Sequence, residues 1–155
     1  MITKIFNYND GGREGAGYKG NAGDCVCRAI AIATGRPYQE VYDRLAVGNE
    51  TQRITKRSGK NHGKRTARNG ISTKRKWFKD YMQELGFEWF PTMGVGTGCK
   101  VHLKPEELPQ GRLVVAVSKH YTAVIDGVIN DTYDCSRGGT RCVYGFYKLT
   151  KNKND

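Results

Sequence analysis

The sequence predicts an α+β domain in which N-terminal helices pack on a C-terminal antiparallel β-sheet. Three observations carry this. Helical periodicity is concentrated between residues 25 and 85, and β-branched and aromatic runs between residues 112 and 149. A chain of 155 residues supports one sizeable core and not two. Residues 1–150 therefore read as a single domain, with 151–155 as a solvated tail.

The elements follow in order. Residues 9–24 (NDGGREGAGYKGNAGD) form a glycine-rich loop suited to a close approach. Asp24 is expected as the N-cap of a helix from Cys25 to about Thr34, which Gly35 ends. That helix, CVCRAIAIAT, is apolar on nearly every face except at Arg28, so it belongs in the core. Pro37 opens a second helix, PYQEVYDRLA, whose Tyr38, Val41, Tyr42 and Leu45 make one apolar stripe. A third helix, about Thr73 to Leu85, presents Trp77, Phe78, Tyr81, Met82 and Leu85, and Gly86 closes it. FEWF (87–90) and Val101–Leu103 read as short extended pieces around a glycine-rich loop, 91–99. The strands RLVVAVS (112–118), HYTAVI (120–125), VINDTY (128–133) and CVYGFYKL (142–149) complete the chain, and Asp126-Gly127 signals a two-residue hairpin.

Charge is distributed unevenly. The chain holds 26 Lys+Arg against 15 Asp+Glu, a net charge of +11. Eleven of the basic residues, and no acidic one, fall between Thr51 and Lys79. The rest of the domain is electrically neutral. A basic insertion is thus expected at about 49–73, exposed and poor in large apolar residues. Arg53, Lys56, Arg57, Lys60, Lys64, Arg65, Arg68, Lys74 and Arg75 are its candidate contacts for nucleic acid or an acidic protein. Arg53–Arg68 contains no aromatic residue to stack on bases, so binding there would be sequence-independent.

The opening MITKIFNYNDGG has no apolar h-region, and no run approaches the length of a membrane span. The expectation is a cytoplasmic protein with no membrane partner. Its five cysteines are then expected as thiols, not as a disulfide framework. Cys99-x-x-His102 alone has a metal-like gap, and the irregular spacing of the other cysteines argues against structural zinc. The GVGTG stretch (94–98) does not join a strand to a helix as a nucleotide loop does. No metal and no cofactor are expected.

One constellation has the makings of chemistry. Cys25 stands at the first position of a buried helix after a glycine-rich loop, where backbone N–H groups and the helix dipole favour a thiolate. Its base must be His62, His102 or His120. His62 lies inside the basic segment and His102 in a short extended piece, whereas His120 begins a strand. If Asp126-Gly127 is the hairpin turn, Thr122 pairs with Asp131 and His120 with Tyr133. His120, Thr122 and Asp131 then share a face, which selects Asp131 to orient the imidazole. Cys27 is expected in the core.

This order of cysteine, histidine and acidic partner resembles the papain-like superfamily of cysteine peptidases. GDCVCRAIA is similar to the nucleophile segment of ovarian-tumour-type deubiquitinases, as is His120-Tyr121 to their His-aromatic pair. Asp-Cys also resembles C39-type bacteriocin-processing peptidases. The stretch ELPQGRLVVAVSKHYTAVIDGVINDTYD resembles small proteins common in bacteriophage genomes, which implies the cytoplasm of a bacterial host. The resemblance implies a papain-like fold and a hydrolase of peptidase, isopeptidase or amidase type acting on a peptide or protein. In it Cys25 is the nucleophile, His120 the base and Asp131 the orienting group. Ala22 stands where the ovarian-tumour pattern has an acidic residue, leaving Asn21 and Asp24 as oxyanion candidates, of which Asn21 is the better donor. Substrate is expected between helices and sheet, with loops 11–23 and 91–99 as rims. The alternative is a non-catalytic phage protein that binds nucleic acid or a host protein through residues 51–79.

Overall fold

The computed structural model describes residues 5–18, 24–51, 71, 73–94 and 96–150. Among them the elements run β1 (Phe6–Tyr8), α1 (Cys25–Thr34), α2 (Tyr38–Thr51), α3 (Lys76–Glu84), β2 (Phe87–Pro91), a 3-10 turn (Pro105–Glu107), β3 (Arg112–Val117), β4 (His120–Ile125), β5 (Val128–Asp131) and β6 (Gly145–Leu149). The fold is α+β: three helices and one six-stranded mixed sheet in the order β1-β5-β4-β3-β6-β2.

The sheet departs from the expected antiparallel one at its edge. β1 lies parallel to β5, with Tyr8 opposite Asp131. Three residues, Phe-Asn-Tyr, are too short for alternation to announce a strand; they are recruited by β5, whose edge would otherwise be unpaired. The other strand pairs are antiparallel. The hairpin at Asp126-Gly127 has the expected register, Ile125 opposite Val128. Both turn residues have positive φ (49° and 82°), the geometry of a type I′ turn.

The sheet is covered on both faces. Val114, Ala123 and Tyr147 pack with residues of α1, α2 and α3, while Leu113, Val115, Val124 and Phe146 pack under Leu103, Leu108, Cys135 and Val143 from the loops. Burial on two sides explains why β3 reads as an unbroken apolar run. α1 is buried from Val26 to Ala33 and ends at Gly35, which is left-handed (φ 73°) and donates its N–H to the Ala31 carbonyl. α2 runs longer than its apolar stripe, to Thr51, and α3 starts later than expected, at Lys76. β5 and β6 are shorter than the patterns 128–133 and 142–149: Cys142 makes only an isolated bridge with His102.

The glycine-rich loop makes its close approach to α1 itself. Gly11 (φ 71°) sits where a Cβ would lie 3.1 Å from the Arg28 carbonyl oxygen. Most of the predicted basic insertion, including Arg53, Lys56, Arg57, Lys60, His62, Lys64, Arg65 and Arg68, lies outside the described residues, as does Asn21. Among the described residues no helix is long and apolar enough to cross a membrane.

Candidate active site

The site is assembled where the N-terminus of α1 meets the start of β4 and the end of β5. Cys25 is the first residue of α1 and is partly exposed. The His120 side chain and the Tyr121 backbone N–H both act on its thiol to favour the thiolate. Burial pushes the thiol up, but the hydrogen bond and charge of His120, the Tyr121 N–H and the Arg28 charge outweigh it. The net result is a lowered pKa.

His120 is buried (8% exposed) at the first position of β4. Its Nε2 lies 2.7 Å from Asp131 Oδ2, which leaves Nδ1 as the ring nitrogen for the thiol. Burial alone would lower the imidazole pKa. Hydrogen bonds to Asp131, Cys135 and Cys25, with the Cys25 charge, raise it instead to about 12. Asp131 is also buried, and burial pushes it up, but His120, Thr122 and the Thr132 N–H bring it below its ordinary value. Thr122 Oγ1 donates to Asp131 Oδ2 at 2.7 Å and the Thr132 N–H to Oδ1 at 2.7 Å. The carboxylate is therefore fixed from several sides. The Tyr133 ring lies 5.3 Å from that of His120, so the two remain neighbours although β5 stops at Asp131.

Asp24 takes the expected N-cap position, its backbone carbonyl accepting from the Arg28 N–H at 3.0 Å, but its side chain serves neither expected role. It makes no side-chain cap hydrogen bond, and it is no oxyanion donor. Its buried carboxylate is an acceptor for Arg28 and for the Tyr38 hydroxyl at 2.5 Å, and it pairs with Arg13 Nε at 2.9 Å. Two guanidinium groups and a phenol compete for this carboxylate, and they outbid the helix N–H groups.

Arg28 is the residue that sequence reasoning passed over. Only 9% exposed, it joins Asp24 through Nη1 and lies 3.6 Å from Asp131 Oδ1 through Nη2. It thus ties the start of α1 to the end of β5. Its signal was present: a lone arginine in an apolar helix, four residues after an aspartate, cannot be buried without carboxylate partners. With thiolate and imidazolium included, the charges of Arg13, Arg28, Asp24, Asp131, Cys25 and His120 sum to zero.

Cys27 is buried, and burial raises its thiol to about 12, in keeping with core packing. Cys135 is also buried, with Sγ 3.8 Å from Asp131 Oδ2. The expectation of five thiols is corrected elsewhere. Cys99 and Cys142 form a disulfide across 43 residues, a pairing that depends on tertiary proximity and leaves no trace in spacing.

A 590 Å³ cleft opens beside the site, lined by Thr73, Lys74, Trp89, Tyr121, Tyr144 and Tyr147 among others. Tyr121 connects the two: its backbone N–H helps to lower the Cys25 thiol, and its side chain lines the cleft, where the hydroxyl donates to Thr73 Oγ1 at 2.9 Å. Among the described residues neither expected rim lines this cleft. Gly11 packs against α1 and Gly12 against Tyr38 of α2, and no described residue of loop 91–99 lines the cleft; its rims are α3, β2 and Tyr144. Lys74 lines the cleft, and Arg75 is the residue before α3.

Comparison with protein-family models, with curated proteins and with solved structures finds no match to this chain.

Proposed function

We propose that this chain is a cysteine hydrolase of papain-like design, cleaving an amide-type bond in a peptide or protein. The observation that carries the proposal is the His120–Asp131 hydrogen bond at 2.7 Å, made by the imidazole that also acts to lower the pKa of the Cys25 thiol. The order of elements adds support: the nucleophile opens a helix packed on a sheet, and its partners come from later antiparallel strands.

In this reading His120 holds the thiol proton and Cys25 attacks as a thiolate. The sulfur–carbon bond forms while the carbonyl electrons move onto oxygen. The Cys25 backbone N–H, at the first position of α1, has no intrahelical partner and can donate to that oxyanion. On collapse the carbon–nitrogen bond breaks, and the imidazolium gives its proton to the departing amine. His120 then takes a proton from water, whose oxygen attacks the thioester. The acid is released and the thiol restored. Asp131 is a positioning residue, holding Nε2 so that Nδ1 faces sulfur, and Arg28 positions Asp131 in turn.

Iodoacetamide labelling across pH tests the reading. Cys25 is expected to react well below pH 8, with the reaction lost in Cys25→Ala and shifted to higher pH in His120→Ala. A labelling profile centred near the ordinary thiol value of 9.0, unchanged by His120→Ala, overturns it.

A further inference from the structure

We propose that Cys99, His102 and Cys142 form a thiolate–imidazole site for a zinc-class divalent cation, which the Cys99–Cys142 disulfide closes on oxidation. The site is separate from the Cys25 centre and does not depend on the hydrolase reading.

The three ligand atoms lie within 4.8 Å of one another. Cys99 Sγ and His102 Nε2 are 3.5 Å apart. A tetrahedral zinc with Zn–S of about 2.3 Å and Zn–N of about 2.0–2.1 Å has an S···N edge of about 3.5 Å, so this pair already spans it. The Cys99 and Cys142 Cα atoms are 5.7 Å apart. Side-chain rotation therefore suffices to part the sulfurs to the edge of about 3.8 Å that two thiolates occupy around the same ion.

The backbone holds these residues in place. His102 and Cys142 face each other in an antiparallel bridge. Hydrogen bonds of 2.8 Å from the Leu103 N–H to the Arg141 carbonyl and from the Val143 N–H to the Val101 carbonyl flank it. The imidazole is oriented as well. Glu107 accepts from His102 Nδ1 at 3.2 Å, which turns the Nε2 lone pair toward the sulfurs. Lys104 Nζ, 3.2 Å from Glu107, completes the support. Cys99 is exposed and the other two partly so, giving an ion a way in. With three protein ligands, the fourth position is left for water. The second ligand-bearing group, His120, Asp131 and Cys135, is buried and is already used by the Cys25 centre.

The redox step balances with a dithiol reductant. The Cys99–Cys142 bond breaks and the pair gains two electrons and two protons, while the dithiol closes to its own disulfide. Metal binding then expels the two thiol protons.

Cobalt(II) is the probe. Protein reduced with dithiothreitol, then freed of it anaerobically, is expected to bind one equivalent with a thiolate-to-cobalt charge-transfer band. Zinc chloride should displace it, and the disulfide form should show no band. Cys99→Ser and His102→Ala should each weaken binding at least 10-fold, and Glu107→Gln, on the solvent-facing turn, by about 10- to 100-fold with the fold intact by circular dichroism. Cys135→Ser should leave it unchanged. Absence of the band in the reduced protein overturns the proposal. So does a band that survives Cys99→Ser or vanishes in Cys135→Ser, because the metal would then sit elsewhere.

Discussion

His120 Nε2 and Asp131 Oδ2 meet at 2.7 Å, and the same carboxylate oxygen takes the Thr122 hydroxyl at 2.7 Å. Asp131 therefore does two things: it fixes which imidazole nitrogen faces Cys25, and its charge favours the imidazolium. Asp131→Asn keeps the shape and removes the charge. The Cys25 thiol should titrate higher, lowering its alkylation rate at pH 6 by about 10-fold. Stopped-flow labelling checks this, and an unchanged rate would show that the carboxylate has no hold on the thiol.

Arg28 carries a structural prediction. Its guanidinium pairs with both Asp24 and Asp131 in the interior. Arg28→Met leaves both carboxylates without that partner and should cost about 3–5 kcal/mol. Adding Asp24→Asn to it should recover part of the loss, since one uncompensated charge is gone. Urea unfolding of the two variants measures both effects. Equal stability of Arg28→Met and the unaltered protein would mean that the cluster is solvated.

What could be read in advance follows from locality. The Asp126-Gly127 turn, the apolar helix α1 with Gly35 at its end, and the shared face of His120, Thr122 and Asp131 all depend on neighbours within a few residues or across one tight hairpin. β1 depends on a partner strand more than 120 positions away, and Phe-Asn-Tyr has no period of its own. The Cys99–Cys142 pair needs the same kind of long-range meeting. Asp24 sits at the expected N-cap position, but its side chain does not cap. The N-cap rule is local and sound, yet Arg13, Arg28 and Tyr38 reach the carboxylate from three directions. Buried charge pairing is worth more than a cap. Arg28 and Asp131 belong together on the same ground, because each needs an opposite charge inside the core.

The thiol–imidazole pair gives stability a particular pH profile. The ordinary values are 9.0 for the thiol and 6.5 for the imidazole; folding lowers the first and raises the second to about 12. Between pH 6.5 and 9.0 the two shifts oppose each other: the proton kept on His120 makes stability fall as pH rises, and the lowered Cys25 thiol makes it rise, so the slope is shallow. Above 9.0 the unfolded chain gives up its proton first, and stability falls as pH rises, by up to about 1.4 kcal/mol per unit. On the acid side the thiol's contribution, present above 9.0, is lost as pH falls and the folded Cys25 takes up its proton. Asp131, lowered in the fold, adds a further loss below its ordinary value of 3.8. Cys25→Ser removes one partner: decline should then begin near pH 6.5 on the alkaline side. Chemical denaturation at pH 6, 7.5, 9 and 10 tests this, and coincident profiles for the two proteins would contradict it.

Gly145 holds the cleft wall in shape. It opens β6 opposite Pro91, and a Cβ there would come within 2.4 Å of the Trp89 ring and 3.1 Å of the Phe90 carbonyl oxygen. The ring can move only by leaving Tyr147, 4.8 Å away. Gly145→Ala should therefore cost about 1–3 kcal/mol and expose Trp89 further. Thermal unfolding reads the first effect and acrylamide quenching the second, with Trp77 as the internal comparison. An alanine variant that quenches and melts like the parent would place the ring elsewhere.

The Cys99–Cys142 cross-link closes a loop of 43 residues around β3, β4 and β5. Confining the unfolded chain over that length corresponds to about 4 kcal/mol by the loop-entropy relation. Reduction without metal should lower the urea midpoint accordingly. It should also speed local opening at the His102–Cys142 bridge, which then rests on its flanking backbone hydrogen bonds alone. The double variant Cys99→Ser, Cys142→Ser is the matching control: it should unfold like the reduced protein and ignore dithiothreitol. Zinc added to the reduced protein should restore part of the lost stability, since an ion bound only by the folded state shifts the midpoint by mass action, whereas the double variant should not respond. A midpoint that stays fixed on reduction would mean that the two loops are held together without the sulfur bridge.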